Sequence, residues 1–225
     1  RKIFQKFVPS AVVDQTLGQG ELKLGGETKQ ATCLFLDIRN FTQLSTQIPT
    51  AVLVDLLNRI FSLLQIEATK SGGVIDKYLG DGALVTWGAI PCSDANSASA
   101  IQCAIEFLKA LHILNIEIGK IGMKPVEVGM GIHKGTVIAG NIGSQDRIEF
   151  TVIGNTVNLA SRLEQLTKVF KCHIVVTEDV ADFKVLDKQW TIHKDIQVRG
   201  IDSKIDVAAF SMNPINSTSK DKFSA

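Results

Sequence analysis

The sequence predicts an α+β domain with a ferredoxin-like βαββαβ core, extra strands, and helices that cover one face of a mostly antiparallel sheet. Apolar stretches with the two-residue period of strands alternate with stretches that have the 3.6-residue period of helices. Glycine pairs and a Gly-Asp-Gly turn separate several of these stretches. The chain has 225 residues, of which 45% are hydrophobic, so it can bury one full core.

The predicted elements follow in order along the chain. A buried strand precedes Asp37, a helix follows it, and a hairpin turns at Asp81. A second long helix is followed by a pair of strands and a third strand. A shorter helix and three further strands come after them. We therefore predict helices over 50–70, 93–119 and 155–168, and strands over 31–36, 74–79, 83–87, 127–133, 136–140, 149–153, 173–177, 190–199 and 207–210.

The ends of the chain differ from its centre in composition. Residues 1–28 combine a weakly amphipathic stretch with four glycines between Gly18 and Gly26, which indicates a coupling segment and linker. The compact domain is predicted over 29–210. Residues 211–225 are rich in Ser, Lys and Asn, so we predict a disordered tail.

Composition excludes several classes of function. A formal charge of +1 and 6% aromatic residues argue against an RNA-binding βαββαβ domain, which needs a basic face and exposed strand aromatics. No nucleic-acid partner is expected.

Four cysteines without C-x-x-C spacing indicate free thiols in a reducing compartment. The apolar stretch 52–66 is interrupted by polar residues, so no membrane span is predicted. We expect a cytoplasmic domain, and a first residue other than Met is compatible with a longer, membrane-anchored protein.

Two aspartates carry the first indication of chemistry. Asp37 follows a buried strand, and Asp81 lies between Gly80 and Gly82 at the tip of a hairpin. Two such carboxylates brought together suit a hard divalent cation, which in turn binds phosphates. Taken singly, each is equally compatible with a helix cap or a turn.

Other polar residues surround this pair in the sequence. Asn40, Phe41 and Thr42 form a strand-to-helix turn whose amides are suited to a triphosphate, while Arg39 is assigned only to the shape of the turn. Lys77 shares a strand face with Ile75 and Leu79, so it either reaches solvent at an edge or donates inside a pocket.

A third group lies on the predicted helix 155–168. Asn158 and Arg162 are one turn apart on the same face. Such a pair is usually a solvated face, but the guanidinium is also suited to stabilise phosphoryl charge while the amide orients a sugar.

These segments together resemble the class III nucleotidyl cyclases. The segment around Asp37, the hairpin with Lys77 and Asp81, and the segment 151–162 have the order and spacing of that family, over roughly 29–210. Residues 7–13 resemble the entry segment of bacterial members.

The resemblance implies a reaction and a set of roles. The 3′-hydroxyl of a nucleoside triphosphate attacks the α-phosphate and releases pyrophosphate. Asp37, Ile38 and Asp81 would bind two divalent cations, Mg²⁺ or Mn²⁺; Asn158 would position the ribose, and Arg162 would stabilise charge at the α-phosphate. The carboxylates and the other groups come from different subunits, which implies a head-to-tail homodimer. An upstream regulatory domain is also implied.

The base is expected to be adenine. Lys77 can only donate, which suits adenine N1, and the Thr151 hydroxyl can accept from the C6 amine. Many adenylyl cyclases have aspartate at the position of Thr151, and the family usually has lysine at the position of Arg199, which we assign to the terminal phosphates. The alternatives are a guanylyl cyclase and a non-catalytic dimerisation module on the same fold.

Overall fold

The computed structural model describes residues 24–89, 94–144, 148–184, 186–199, 201 and 203–212. Within these residues the chain forms eight strands and four helices. The strands are β1 (Gly25–Ile38), β2 (Val74–Leu79), β3 (Gly82–Trp87), β4 (Val128–Gly143), β5 (Ile148–Ile153), β6 (Ile174–Thr177), β7 (Trp190–Ile196) and β8 (Ile205–Phe210). The helices are α1 (Phe41–Gln47), α2 (Thr50–Lys70), α3 (Ser97–Gly119) and α4 (Asn155–Phe170).

All eight strands belong to one sheet of order β2-β3-β1-β4-β6-β8-β7. Residues 138–143 of β4 pair with β5, and residues 130–132 of β4 pair with β6. Only β4 and β6 are parallel among the strand pairs of the described residues, so the sheet is mostly antiparallel, and the predicted α+β class is confirmed.

The helices lie on both faces of the sheet, which corrects the prediction that they cover one face. Side chains alternate along β1, so Leu34 and Leu36 point to one face and Cys33 to the other. The first face packs against α2 and α3, whereas the second packs against α4. Composition and period do not reveal which face a helix selects.

The close approach of α4 to the sheet depends on a glycine. Gly131 in β4 faces the helix, and a Cβ at this position would collide with the main chain at Ala160 and Glu164. Gly154 precedes the helix at φ 135, and Lys171 ends it in the left-handed region at φ 52. These features fix the helix that carries Asn158 and Arg162.

Glycines account for the main differences from the sequence-based boundaries. The strand β1 begins at Gly25, so Gly25 and Gly26, assigned to the linker, pair with β4 instead. The two predicted strands 127–133 and 136–140 are one strand, because β1 pairs without interruption across Gly135. Residues 1–23 and 213–225 lie outside the described part, so the predictions for these ends stay predictions.

One helix of the described part, α3, is long and apolar enough to cross a membrane. Eight of its side chains are buried, and they pack against the sheet and α2 in the largest core cluster. Its composition is therefore explained by its place in the core.

Candidate active site

The two aspartates singled out by the sequence lie at one edge of the sheet. Asp37 is opposite Gly82 in the β1–β3 ladder, and Asp81 is the residue directly before Gly82. The turn needs Gly80 in the left-handed region, at φ 65. Partial burial and the negative charge of Asp37 raise the pKa of Asp81 above its ordinary value. A carboxylate that is costly to ionise beside a second negative charge is stabilised by a cation.

The donor set fits a magnesium-type ion. The side chain of Ile38 is a hydrocarbon, so this residue can offer only its main-chain oxygen to a metal ion. No group of three or more His, Cys, Asp or Glu residues suited to a metal occurs in the described part of the chain. Mg²⁺ is commonly held by one or two carboxylates, with water and substrate phosphates as its remaining ligands. The residues at the end of β1 and in the Asp81 turn meet that requirement.

A lysine not singled out by the sequence reaches one of these carboxylates, Asp37. Lys168 Nζ, from the last turns of α4, lies 3.1 Å from Asp37 Oδ2 and 3.8 Å from Glu164 Oε1. Partial burial lowers the pKa of Lys168, but the hydrogen bond to Asp37 and the two carboxylate charges outweigh it and raise the pKa overall. The positively charged ammonium of Lys168 therefore forms an ion pair with the Asp37 carboxylate.

Glu164 lies beneath this ion pair. It is 5% exposed, burial raises its pKa to about 7, and its Oε1 has no hydrogen-bond partner among the described residues. The i, i+4 spacing of Glu164 and Lys168 after Arg162 was the available signal in the sequence, but their proximity to Asp37 depends on how α4 crosses the sheet.

Arg39 does more than shape the turn after β1. Its guanidinium donates to the main-chain oxygens of Val128 at 3.3 Å, Thr167 at 3.1 Å and Cys172 at 2.5 Å. These contacts tie the end of β1 to the start of β4 and to the C-terminal end of α4. Arg39 therefore helps to hold Lys168 beside Asp37.

The predicted triphosphate turn lies beside this edge. Asn40 adopts the left-handed conformation at φ 54 and precedes α1. Phe41 packs partly against the core, and Thr42 is exposed. The amides of a first helical turn have no partner within the helix, so they are available to other acceptors.

A β-bulge changes the predicted environment of Lys77. The β2–β3 register shifts between Ile75 and Lys77, so Asp76 is an extra residue on β2. Ile75 therefore points into the core under α2 and α3, whereas Lys77 lies on the opposite face. The prediction that these two residues share a face was wrong, because an inserted residue breaks the alternation.

The bulge brings Lys77 and Thr151 to a common carboxylate. Thr151 Oγ1 donates to Asp76 Oδ2 at 2.8 Å, and Lys77 Nζ lies 3.8 Å from the same oxygen. Lys77 Nζ also pairs with Glu149 Oε1 at 3.0 Å on the rim. Asp76 was not predicted from the sequence, although two charged residues side by side inside an apolar strand were a signal.

Asn158 and Arg162 are separated from the metal-type carboxylates. Asn158 is exposed and Arg162 is half-buried on α4. No hydrogen bond or ion pair joins either side chain to another described residue, Asp37 and Asp81 included. Arg199 is exposed on the loop after β7, and its neighbour Gly200 lies outside the described residues. A ligand or a second chain would have to bring these groups together with the carboxylates.

Comparisons with known proteins identify the family of the chain. The sequence model described as "Adenylate and Guanylate cyclase catalytic domain" matches residues 25–213. An adenylate cyclase from Anabaena cylindrica is 34% identical over 91% of this chain, and the match spans 42% of that protein's length. The chain thus spans less than half of the curated relatives that it matches.

Solved structures of both nucleotide specificities share the fold. The adenylyl cyclase CyaB from P. aeruginosa has a TM-score of 0.72 and 29% identity, covering 84% of this chain and 97% of that one. The guanylyl cyclase Cya2 has the same TM-score and identity, covering 86% of this chain and 98% of that one. The chain belongs to the class III adenylyl and guanylyl cyclase catalytic domain family.

Proposed function

We propose that this domain converts ATP to 3′,5′-cyclic AMP and pyrophosphate in active sites shared across a homodimer. The observation that carries the proposal is the pairing of Asp37 with Gly82, which puts two carboxylates side by side in a chain of the cyclase family. The reaction is intramolecular attack of the ribose 3′-hydroxyl on the α-phosphate, and pyrophosphate leaves.

Asp37, Asp81 and the main-chain oxygen of Ile38 would hold the divalent cations that this family generally uses, Mg²⁺ or Mn²⁺. When bound, these ions acidify the 3′-hydroxyl and neutralise phosphate charge. The partial burial of Asp81 supports this role, because a carboxylate that is costly to ionise alone gains most from a cation.

Asn158 would orient the ribose and Arg162 would stabilise the charge that develops at the α-phosphate. Both side chains lack hydrogen-bond and ion-pair partners among the described residues, so no such interaction joins them to Asp37 or Asp81 within one chain. That separation supports a head-to-tail homodimer in which one protomer supplies the carboxylates and its partner supplies α4.

Lys77 and Thr151 would read the base. An ammonium donates only, so it matches the N1 acceptor of adenine and opposes the N1–H of guanine. A site that reads hydrogen bonds can discriminate by roughly 10⁴ when the wrong base leaves buried groups unpaired. The ion pair between Lys77 and exposed Glu149 would open when a nucleotide enters.

The triphosphate would lie against Asn40, Phe41, Thr42 and Arg199. The exposure of Arg199 and Thr42 supports contact with a charged ligand. An arginine would bind terminal phosphates through a planar fork rather than a point charge. We also propose a cytoplasmic domain under the control of an upstream regulatory domain. The Anabaena relative has room for such a domain, because the match spans only 42% of its length.

A direct assay tests the proposal. The purified chain is supplied with Mg²⁺ or Mn²⁺ and with ATP or GTP in parallel, and the cyclic product is identified by mass. We expect cyclic AMP from ATP, far slower turnover of GTP, and loss of both in a folded Asp81→Asn variant. Undiminished turnover by Asp81→Asn would contradict the metal role.

A guanylyl cyclase is the second candidate function. It is favoured by the equal similarity of the guanylyl cyclase Cya2 to this chain. The same assay decides between the two, because a preference for GTP would overturn the assignment of Lys77 and Thr151 to adenine.

A further inference from the structure

Asp76 occupies an unusual place for a carboxylate. It is the inserted residue of the β2 bulge, and only 4% of its side chain is exposed. It accepts hydrogen bonds from Thr151 Oγ1 at 2.8 Å and from the main-chain N–H of Val152. A buried charge is costly unless it is paired and hydrogen-bonded, so a carboxylate at this position calls for a specific explanation.

The direction of the Thr151 hydrogen bond follows from the charge of Asp76. Burial, offset in part by Thr151 and Lys77 and reinforced by Glu149, raises the pKa of Asp76 to about 6. The neighbouring Cys33 remains a neutral thiol, because burial and the charge of Asp76 raise its pKa to about 12. Asp76 is therefore mostly ionised near pH 7.5. An ionised carboxylate only accepts, so the proton of the Thr151 hydroxyl points to Asp76.

A hydroxyl whose proton is committed can offer only its lone pairs elsewhere. We propose that Asp76 is a positioning residue for base selection: it takes the hydroxyl proton of Thr151 and so presents Thr151 Oγ1 as an acceptor to the C6 amine of adenine. The inference rests on the proposed adenylyl cyclase function and adds a residue that does not itself touch the base.

The same carboxylate also acts on Lys77. The ammonium of Lys77 lies 3.8 Å from Asp76 Oδ2, so the buried carboxylate attracts it and keeps it near Thr151. The two readers then have opposite polarity: Lys77 is a donor in any case, and Asp76 makes Thr151 an acceptor. Guanine presents an N–H at N1 and an oxygen at C6, so it meets a donor with a donor and an acceptor with an acceptor.

A purely structural role for Asp76 makes a different prediction. Asp76 also joins β2 to β5, so its replacement would then weaken the binding of all nucleotides alike. The test therefore compares ligands that differ only at the base. We choose the 3′-deoxy triphosphates of adenosine, guanosine and purine riboside, which lack the attacking hydroxyl and are not turned over. Purine riboside has adenine's N1 acceptor but no C6 amine.

Dissociation constants are measured by calorimetry on the full chain with Mn²⁺ for the wild type, Asp76→Asn, Thr151→Val and the double variant. We expect the wild type to bind the adenosine form roughly tenfold tighter than the purine riboside form, the size of one hydrogen bond. Asp76→Asn should remove that ratio, because its amide can donate to Thr151 and release the hydroxyl proton. The affinity of Asp76→Asn for the purine riboside form should stay within about twofold of the wild-type value. The double variant should bind the adenosine form no more weakly than Thr151→Val alone.

Other results overturn the inference. If Asp76→Asn lowers the affinity for all three ligands equally, the role of Asp76 is structural alone. The same conclusion follows if Asp76→Asn lowers the affinity for the adenosine form as much in Thr151→Val as in the wild type. Wild-type preference for the guanosine form would overturn the proposed function as well, whereas an adenosine preference unaffected by Asp76→Asn would overturn only this inference. If thermal melting shows Asp76→Asn to be unfolded, Asp76→Ser, whose hydroxyl also donates, carries the same expectation.

Discussion

Lys168 Nζ lies 3.1 Å from Asp37 Oδ2, so the last turns of α4 reach the end of β1 within one chain. This ion pair joins the helix that carries Asn158 and Arg162 to a carboxylate assigned to the metals. A cation bound at Asp37 would compete with the ammonium of Lys168 for the same oxygen.

Replacing Lys168 by Met should therefore strengthen metal binding. Both partners are partly exposed, so the effect should be small, roughly two- to fivefold in the dissociation constant. Electron paramagnetic resonance of Mn²⁺ with the nucleotide-free protein measures it. Lys109→Met is the control, because Lys109 pairs with Glu106 on α3 and should leave Mn²⁺ affinity unchanged. Weaker Mn²⁺ binding by Lys168→Met would contradict the competition.

Arg39→Gln should destabilise the fold as well as the site. The guanidinium satisfies three main-chain oxygens at the joint between β1, β4 and α4, and their partial burial makes its loss costly. We expect a fall in the free energy of unfolding of about 2–3 kcal/mol in urea denaturation. Arg59→Gln, which breaks an exposed pair with Glu117, should cost less than about 1 kcal/mol. Equal losses in the two variants would show that Arg39 is not such a joint.

Gly131→Ala should move α4 away from β4. The added methyl meets the main chain at Ala160 and Glu164, and overpacking of this kind costs about 1–3 kcal/mol. Cyclase activity should fall further than the lost stability explains, because Asn158 and Arg162 move with the helix. Gly119→Ala, at the end of α3 with open space around it, should be neutral or slightly stabilising. Full activity in Gly131→Ala would show that catalysis does not depend on the position of α4.

Asp76 should give stability a defined pH dependence. Its pKa in the folded chain, about 6, is above the ordinary value of 3.8, so the folded state holds the proton more tightly than the unfolded state. The resulting stability is fully present below about pH 4 and is lost as pH rises through 6, by up to about 3 kcal/mol. Denaturant unfolding of the wild type and Asp76→Asn between pH 4.5 and 8 measures the difference. Parallel curves for the two proteins would contradict the raised pKa.

The sequence predicts the periodic elements well. The predicted helix 50–70 agrees with α2 at both ends, because apolar residues at i, i+4 spacing and a glycine pair define it locally. Glycines caused the main boundary errors. Gly25, Gly26 and Gly135 resemble linker or turn residues, yet all three lie in extended strands that pair along their length.

The site was only partly predictable, for a physical reason. Asp37 and Asp81 follow from local strand and turn patterns, and the ladder joins them. The contacts of Asp76 and Lys168 depend instead on a bulge and on the path of α4, so the local patterns around these residues do not predict what they contact. Contacts between distant segments are fixed by packing, which periodicity does not report.

Complementation between two inactive variants tests the shared site most directly. Asp81→Asn and Arg162→Ala are purified separately, mixed, and allowed to exchange protomers; heterodimer formation is confirmed by native mass spectrometry. A site built across the interface predicts that each variant alone is inactive and that an equal mixture recovers roughly a quarter of wild-type cyclic AMP production, since about half of the dimers then carry one intact site. A mixture that contains heterodimers but stays inactive would contradict the account, as would full activity in a monomer.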